Sequence, residues 1–548
     1  MKNLLLIAII ASVPLSASAA TIYVDANATG ANDGSSWTNA YNFLQDALAD
    51  ARSHPYINQI YVAQGIYTPD TSTADPKGTG ERLASFALIN GVAFYGGFPS
   101  GGSDTQHRDP SIYETILSGD IGILGDNSDN CYHIFHHPEG LNLNSSAVLD
   151  GFTVTAGNAN GPYPHYTQGG GMDNYYCNPT IINCLFSYNG AHYYGGGMYN
   201  VGSEPNIINC TFSENSADHG GGMSNAGSNP HVVSCTFNSN HAWVGGGISN
   251  ERFDNPNISK CIFRNNSAGH SGGGLSTQGG GDPSITDCIF IGNTARTAGG
   301  AMFNGGANGG GEAIVINCTF ANNSATYGGG MYSSHGCKPN ITNCIFWNNS
   351  ASRADGEISE DKYSLTTVIY SNIQGGWLGP GNIDVDPCFA APGYWDPNGT
   401  PDDANDDFWV DGDYHLLPDS PCINSGDPNY APEPNETDLD GNPRIINDRI
   451  DMGAYEYQPS PAELLLALSD HIDQLNLPAG TASSLKAKLD AAIKKLNDNN
   501  GQNDKAAANA LKAFINAVEA QQGKKIPTAD ADGLITAAQD IIELINNN

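Results

Sequence analysis

Between Gly169 and Ala351 one phrase recurs seven times, and it restricts the possible folds more than any other feature of the chain. Its first half is a glycine cluster followed by an apolar residue. Gly169-Gly170-Gly171-Met172 is the first copy, and others begin at Gly195, Gly220, Gly245, Gly272, Gly299 and Gly328. Its second half is Cys-x-Phe-x-x-Asn-x-Ala, beginning at Cys184, Cys210, Cys235, Cys261, Cys288, Cys318 and Cys344. Intervals of 25 to 30 residues signify a stacked repeat architecture. Helices are excluded as the unit, because each interior glycine costs about 1 kcal/mol relative to alanine. The intervening stretches, such as Thr180-Ile181-Ile182 and His231-Val232-Val233, are short and β-branched, as strands prefer. No leucine scaffold is present, which leaves a β-coil.

Coils stacked as parallel strands roughly 4.8 Å apart place equivalent residues in columns. The column Ile181, Ile207, Val232, Ile258, Ile285, Val315 and Ile341 is aliphatic throughout, and Cys and Phe columns follow three and five residues later. Period-2 alternation cannot turn 181, 184 and 186 all inward. The phase must therefore slip at Asn183, Asn209, Ser234, Lys260, Asp287, Asn317 and Asn343, where Asn and Asp tolerate left-handed backbone. The glycine cluster supplies the other sharp corner. The Asn189, Asn215, Asn240, Asn266, Asn293, Asn323 and Asn349 column reads as an amide ladder satisfying turn backbone.

The rest of the chain organises around this stack. Lys2, the apolar run Leu4 to Ile10 and the small residues Ala17 to Ala20 form a secretory signal over 1–20. This implies a protein that is secreted, held at the cell surface or periplasmic. Residues 21–150 read as an N-terminal cap and first coils, with a short helix at Ala40 to Ala51 presenting Leu44, Ala47, Leu48 and Ala51 to the open sheet end. Regular coils occupy 151–375, and an acidic, turn-rich C-terminal β cap occupies 376–458. Clustered carboxylates there, from Asp384 to Asp413 with Asp438 and Asp440, make Ca²⁺ a candidate ligand, although EF-hand spacing is absent. After Pro459 the composition turns to Ala, Leu, Lys and Asp. Helices are expected at 462–475, 483–497, 504–521 and 529–545, with Asn503 and Thr528 as N-caps and Gly523 as a stop.

The opening Ile22-Tyr23-Val24-Asp25, Asn32-Asp33-Gly34-Ser35-Ser36-Trp37 and Ile60 to Tyr67 resembles bacterial secreted β-helix proteins of the pectate-lyase-like superfamily. The repeat is similar to that of chlamydial polymorphic outer-membrane proteins, carried here by Phe186-Ser187-Tyr188-Asn189 through Phe346-Trp347-Asn348-Asn349. The segment Lys512 to Val518 with Gly523 to Ile526 resembles the FIMAH module, which implies an accessory or attachment role for 459–548. Together these imply a mainly β protein, a right-handed parallel β-helix with a small C-terminal α-helical bundle.

Charge narrows the partners. The formal net charge is −35, and phosphate backbones need basic patches, so nucleic acid is excluded as a partner. No stretch beyond the signal is apolar and long enough to span a membrane. The seven column cysteines are expected as buried thiols, since in-register neighbours sit wider than a relaxed disulfide permits. Cys388 and Cys422, flanking the last β region, are the disulfide candidate.

For catalysis, a β-helix lyase needs a carboxylate-held cation and a Lys or Arg base. Arg252, Lys260, Arg264, Arg296 and Lys338 are scattered among the repeats, and no catalytic residue is assigned. A glycosidase needs acids ~5–9.5 Å apart across a groove. Asp173, Glu204, Glu214, Asp218, Glu251, Asp254, Asp282 and Asp287 fall in different columns. Tyr194, His219, Trp243, His270 and Tyr327, between the Asn-x-Ala element and the glycine cluster, instead suggest a glycan-binding stripe at the coil spacing. The competing reading is that these rings shield the turn. A metal site built from His192, His219, His241 and His270 is disfavoured by their differing turn positions, and no metal is assigned. Binding or adhesion to a polysaccharide, cell-surface or matrix component is the expected function. A polysaccharide lyase or glycoside hydrolase with its site at an insertion, 156–168 or 251–258, is the alternative.

Overall fold

The computed structural model describes residues 20–163, 165–306, 310–398, 408–446, 449–496 and 504–547. The signal segment lies outside these residues except for Ala20, as do Asn503 and the acidic Asp402, Asp403, Asp406 and Asp407. The chain divides into two compact units, Met1–Glu456 and Tyr457–Asn548.

In the first unit each copy of the phrase makes one coil and contributes a strand to each of four parallel sheets. In the first copy Met172–Tyr175 joins sheet C, Thr180–Ile182 sheet A, Leu185–Ser187 sheet B and Gly190–Ala191 sheet D. The register repeats from coil to coil: Met172 pairs with Met198, Ile181 with Ile207 and Phe186 with Phe212. The Cys184 amide donates to Cys210 Sγ at 3.5 Å. Like therefore lies over like. The Met, Ile, Cys and Phe columns fill one continuous core, and the Phe rings stack at 4.2–4.9 Å with planes within 8° of parallel.

The corners follow from backbone conformation. Asn183, Asn209, Ser234, Lys260, Asp287, Asn317 and Asn343 all have φ between 51° and 54°, so the phase slips at the expected place and turns sheet A into sheet B. The first glycine of each cluster has φ of 57° to 66°, a region that L side chains seldom enter. A third left-handed column, Tyr188, Glu214, Ser239, Asn265, Gly292, Asn322 and Asn348 with φ of 54° to 61°, went unanticipated. It directs the Asn ladder inward. From Asn215 to Asn323 each ladder amide donates its Nδ2 to the next Asn Oδ1 and to a Phe carbonyl of the preceding coil, as Asn240 does to Asn266 at 3.0 Å and to Phe212 at 2.9 Å, while Asn189 at the start donates to the Val154 carbonyl instead. The series ends on the buried carboxyl of Glu357, whose pKa burial pushes up to about 8.

All seven column cysteines are buried free thiols. Each Sγ donates to a carbonyl, as Cys261 does to Ser259 at 3.2 Å, and Cys210, Cys235, Cys288, Cys318 and Cys344 also accept the cysteine amide of the preceding coil. Desolvation raises the thiol pKa in Cys210, Cys261, Cys288 and Cys344, which keeps these groups in the unreactive form. Cys388 and Cys422, expected as a disulfide, are also free. Cys388 sits at φ 53° with its thiol directed to the Asp386 carbonyl, while Cys422 Sγ accepts Asn372 Nδ2 at 3.1 Å. A thiol-specific reagent is expected to label Cys388, the one cysteine that is not buried, within minutes and to reach the column only on unfolding. Peptide mass mapping reads the result, and labelling of Cys261 as fast as Cys388 in the folded chain would contradict it.

The expected helix forms as Leu44–Ser53, burying Leu44, Ala47, Leu48 and Ala51 against the strands Ala20–Val24 and Ile57–Ala63. The segment expected to cap the far end behaves differently. Only its beginning covers the stack, through Ile383 paired with Ile373 and Trp377 against the core. The described remainder runs back along the stack as a lateral strap, first beside the third left-handed column, where Asn322 Nδ2 donates to Gly393 O and Tyr414 Oη, and then along the corner between sheets A and B. Gly453 N donates to Asn343 O at 2.8 Å, Ala454 N to Thr319 Oγ1 at 3.1 Å, and Lys260 Nζ to Thr437 Oγ1. The fully buried Arg444 anchors it between Asp287, at 3.6 Å, and Glu456, at 3.4 Å. The left-handed corner leaves polar groups unspent, and the strap satisfies them.

In the second unit, helices span Pro461–Gln474, Ala479–Leu496, Asp504–Glu519 and Thr528–Asn547 around Leu465, Leu489, Leu511, Phe514 and Leu534. Ser460 and Glu463 form a capping box that had not been anticipated. Thr528 lies inside its helix rather than capping it. No helix among the described residues is long and apolar enough to cross a membrane.

Candidate functional site

The five residues of the expected stripe do not form one column. Bridges run Gln168–Tyr194–His219–Val244–Ser271–Ala298–Tyr327. Trp243 and His270 each stand one position before that line, and an irregularity between Ala242 and Val244 shifts the register there. Two separate groups result. Tyr194 stacks on Tyr199 at 5.3 Å and touches His219 at 5.2 Å; His219 in turn pairs with Glu251 at 2.8 Å. Tyr327 leans on Tyr332 at 6.1 Å. These three rings shield the outward face of sheet C. Burial raises the phenol pKa of Tyr194, consistent with that packing.

Trp243 and His270 form the second group, on the outward side of sheet D, with ring centroids 5.8 Å apart. Trp243 is 52% exposed. A Cβ on Gly269 would meet the indole Cε3 at 2.6 Å, so the missing side chain in the next coil lets the ring lie flat. A shallow groove joins Trp243 to His192, Ser216, Asp218 and His241 across three coils. Beside it, Tyr193 and Tyr163 present exposed rings 6.1 Å apart. His241 Nδ1 lies 2.9 Å from Ser267 Oγ. The groove thus offers an aromatic platform flanked by an acid, imidazoles and a hydroxyl. It can stack on an apolar sugar face while hydrogen-bonding its rim.

A second cluster lies where the irregular coils meet the regular stack. His136, in the edge strand Phe135–His137 of sheet C, is in register with Asp173, and His136 Nδ1 is 3.0 Å from Asp173 Oδ2. His133 stacks on His136 at 5.1 Å, and its two ring nitrogens each lie 3.0 Å from a carbonyl oxygen, of Gly169 and of His165. One ligand atom from each of His133, His136 and Asp173 falls within 4.8 Å of the others, the one such group among the described residues. Burial pushes the Asp173 carboxyl upward and the His133 imidazole downward. Sequence reasoning missed this cluster. Its residues precede or open the repeats and belong to no column, and only the pairing of an edge strand brings 136 to 173.

Other expected positions are engaged structurally. Asp254 accepts the Ser228 and Glu251 amides at 2.6 Å each, which closes the 251–258 insertion. Asp438 in the acidic segment accepts backbone N–H groups of Asp440, Asn442 and Glu456, and Asp440 pairs with His415 at 2.6 Å. These oxygens are spent on donors rather than aimed at a common point, so the described part of that segment offers no Ca²⁺ cage. Arg108, beside Glu114 in a groove at the corner of sheets A and B, is committed to Asp150 at 2.8 Å and to the Gly96 carbonyl.

Residues 121–270 match the family described as a right-handed β-helix region. No curated protein matches the chain. The matched stretch contains both the histidine cluster and the Trp243 groove, and the fold is a right-handed parallel β-helix followed by a few C-terminal helices. That fold is consistent with cell-surface and polysaccharide-related proteins alike, so function has to be argued from the site.

Proposed function

We propose that the chain is an exported or cell-surface binding protein that holds an extended glycan along the outward side of sheet D. The observation that carries this reading is Trp243, an exposed indole laid flat over Gly269 and ringed by His192, Ser216, Asp218 and His241 in one groove. An isolated exposed tryptophan is ordinary, but a platform preset by a glycine one coil away and bordered by polar groups resembles a binding surface. Tyr193 and Tyr163 extend the aromatic surface beyond it. A parallel stack offers such groups at ~4.8 Å steps, close to the rise of one sugar in an extended chain. The net charge of −35 favours neutral or cation-bridged glycans over strongly anionic ones.

The full chain is expected to be retarded by at least one glycan in affinity electrophoresis across a polysaccharide panel. Trp243→Ala should weaken that binding ~10–100-fold, the loss of one aromatic anchor. Tyr327→Ala, whose ring packs on Tyr332, should leave it unchanged. Equal retention of wild type and Trp243→Ala on every glycan that binds would refute the assignment. Release of unsaturated or reducing sugars during the same assay would favour the lyase or glycosidase alternative.

A further inference from the structure

We infer that His133, His136 and Asp173 form a binding site for a divalent first-row transition metal ion of the Zn²⁺ type, pinning the edge strand of sheet C to the first regular coil. The donor set is two imidazole nitrogens and one carboxylate oxygen, the mixture such ions favour. Its dimensions fit. Two ligand atoms bound at ~2.0–2.1 Å in a tetrahedron lie ~3.3 Å apart, and His136 Nδ1 is 3.0 Å from Asp173 Oδ2. His133 stands close enough for all three ligand atoms to fall within 4.8 Å, so a small closing movement of its ring completes the set.

Two independent features favour a cation at this place. First, Asp173 is fully buried and its Oδ1 has no hydrogen-bond partner. The groups beside this carboxyl that can carry positive charge are His136, His133 and His165. The nearby Arg82 is spent on the Asn130 and Asn158 carbonyls and on Asn160 Oδ1, over the Tyr132 ring. A buried carboxylate with an orphan oxygen is costly unless an ion or a donor answers it. Second, both His133 nitrogens face carbonyl oxygens. A neutral ring carries one N–H, so one lone pair is left against a carbonyl. Protonating both nitrogens would place a cation in stacking contact with His136. A metal ion resolves the conflict. One nitrogen, turned off its carbonyl by that ring movement, ligates, and the other keeps its proton on a carbonyl, which is the usual arrangement around metal-bound histidine.

The tag-free full chain, stripped with chelator, is expected to bind one equivalent of Co²⁺ with a ligand-field absorption band that Zn²⁺ abolishes. Asp173→Ala and His136→Ala should each lower Co²⁺ affinity at least ~100-fold, beyond the ~10–100-fold typical of losing a residue behind the ligands. The double variant His192→Ala/His241→Ala, on sheet D, should bind Co²⁺ as the wild type does. Circular dichroism checks that the variants fold, and Asp173→Asn, which keeps the side-chain volume, replaces Asp173→Ala if that chain does not. A wild type with no ligand-field band, or a folded Asp173 variant with undiminished Co²⁺ affinity, overturns the inference. The glycan panel is independent of both outcomes.

Discussion

Replacing Gly246 with alanine is expected to destabilise the stack by about 3 kcal/mol, at the upper end of overpacking costs, while Gly247→Ala next to it costs distinctly less. The two glycines differ in what surrounds them. A Cβ on Gly246 would lie 2.5 Å from the Gly273 carbonyl oxygen and 2.6 and 2.8 Å from the Ser267 oxygen and nitrogen. All three atoms are backbone of the next coil, held by sheet hydrogen bonds, so relief requires prising coils apart. The same position is glycine in all seven copies. At Gly247 the clash is with one backbone atom, the Gly274 oxygen at 2.5 Å, and the next neighbours are Phe ring and Cβ atoms beyond 3 Å. The chain itself carries the alanine two coils on, at Ala301, fully buried. There the Gly274 N–H is shared between the Gly300 and Ala301 carbonyls, a local adjustment that Gly247 can also make. Thermal melts of the β signal decide the matter. Gly246→Ala should lose several degrees more than Gly247→Ala; the reverse order would mean that coil spacing is not what fixes the cluster.

The stack was legible in the sequence because repetition turns each weak local signal into a column. A single Asn183 would say little; seven polar or charged residues at the same slip between an aliphatic and a cysteine column require a bend, and all seven have left-handed φ. What could not be read were features that break repetition. The Ala242/Val244 irregularity moves Trp243 and His270 out of the column of Tyr194 and Tyr327, so equal distance from the glycine cluster did not mean equal direction. The strap residue Arg444 reaches Asp287 across more than a hundred residues with no periodicity to announce it. His133 and His136 sit before the first glycine cluster, and their approach to Asp173 depends on the length of the intervening loop.

Asn266→Ala is expected to cost about 4 kcal/mol, more than an ordinary core truncation of that size, because it severs a polar chain inside the solenoid. Asn266 Oδ1 accepts the Asn240 amide at 3.1 Å and its Nδ2 at 3.0 Å, while Asn266 Nδ2 donates to Phe237 O at 2.8 Å and Asn293 Oδ1 at 2.9 Å. Truncation strips these partners where water does not reach, and each buried group left unsatisfied costs about 1–3 kcal/mol. Aspartate is no remedy, since it would set carboxylate oxygens against the Phe237 and Asn293 acceptors. The ladder is also directional. Every Nδ2 points toward the later coil, and the final donor, on Asn349, is met by the acceptor oxygens of Glu357, so an interruption leaves donors and acceptors stranded on its two sides. In a solenoid each coil is stabilised by its neighbours, and the damage should therefore be local: faster amide hydrogen exchange across coils 240–293, with coils near 186 and 346 little altered. Asn257→Ala, an exposed position in the same coil, should change stability by no more than about 0.5 kcal/mol. If Asn266→Ala matched that surface variant in melting and exchange, the amide column would be an ornament of the repeat and the packed core alone would hold the coils in register.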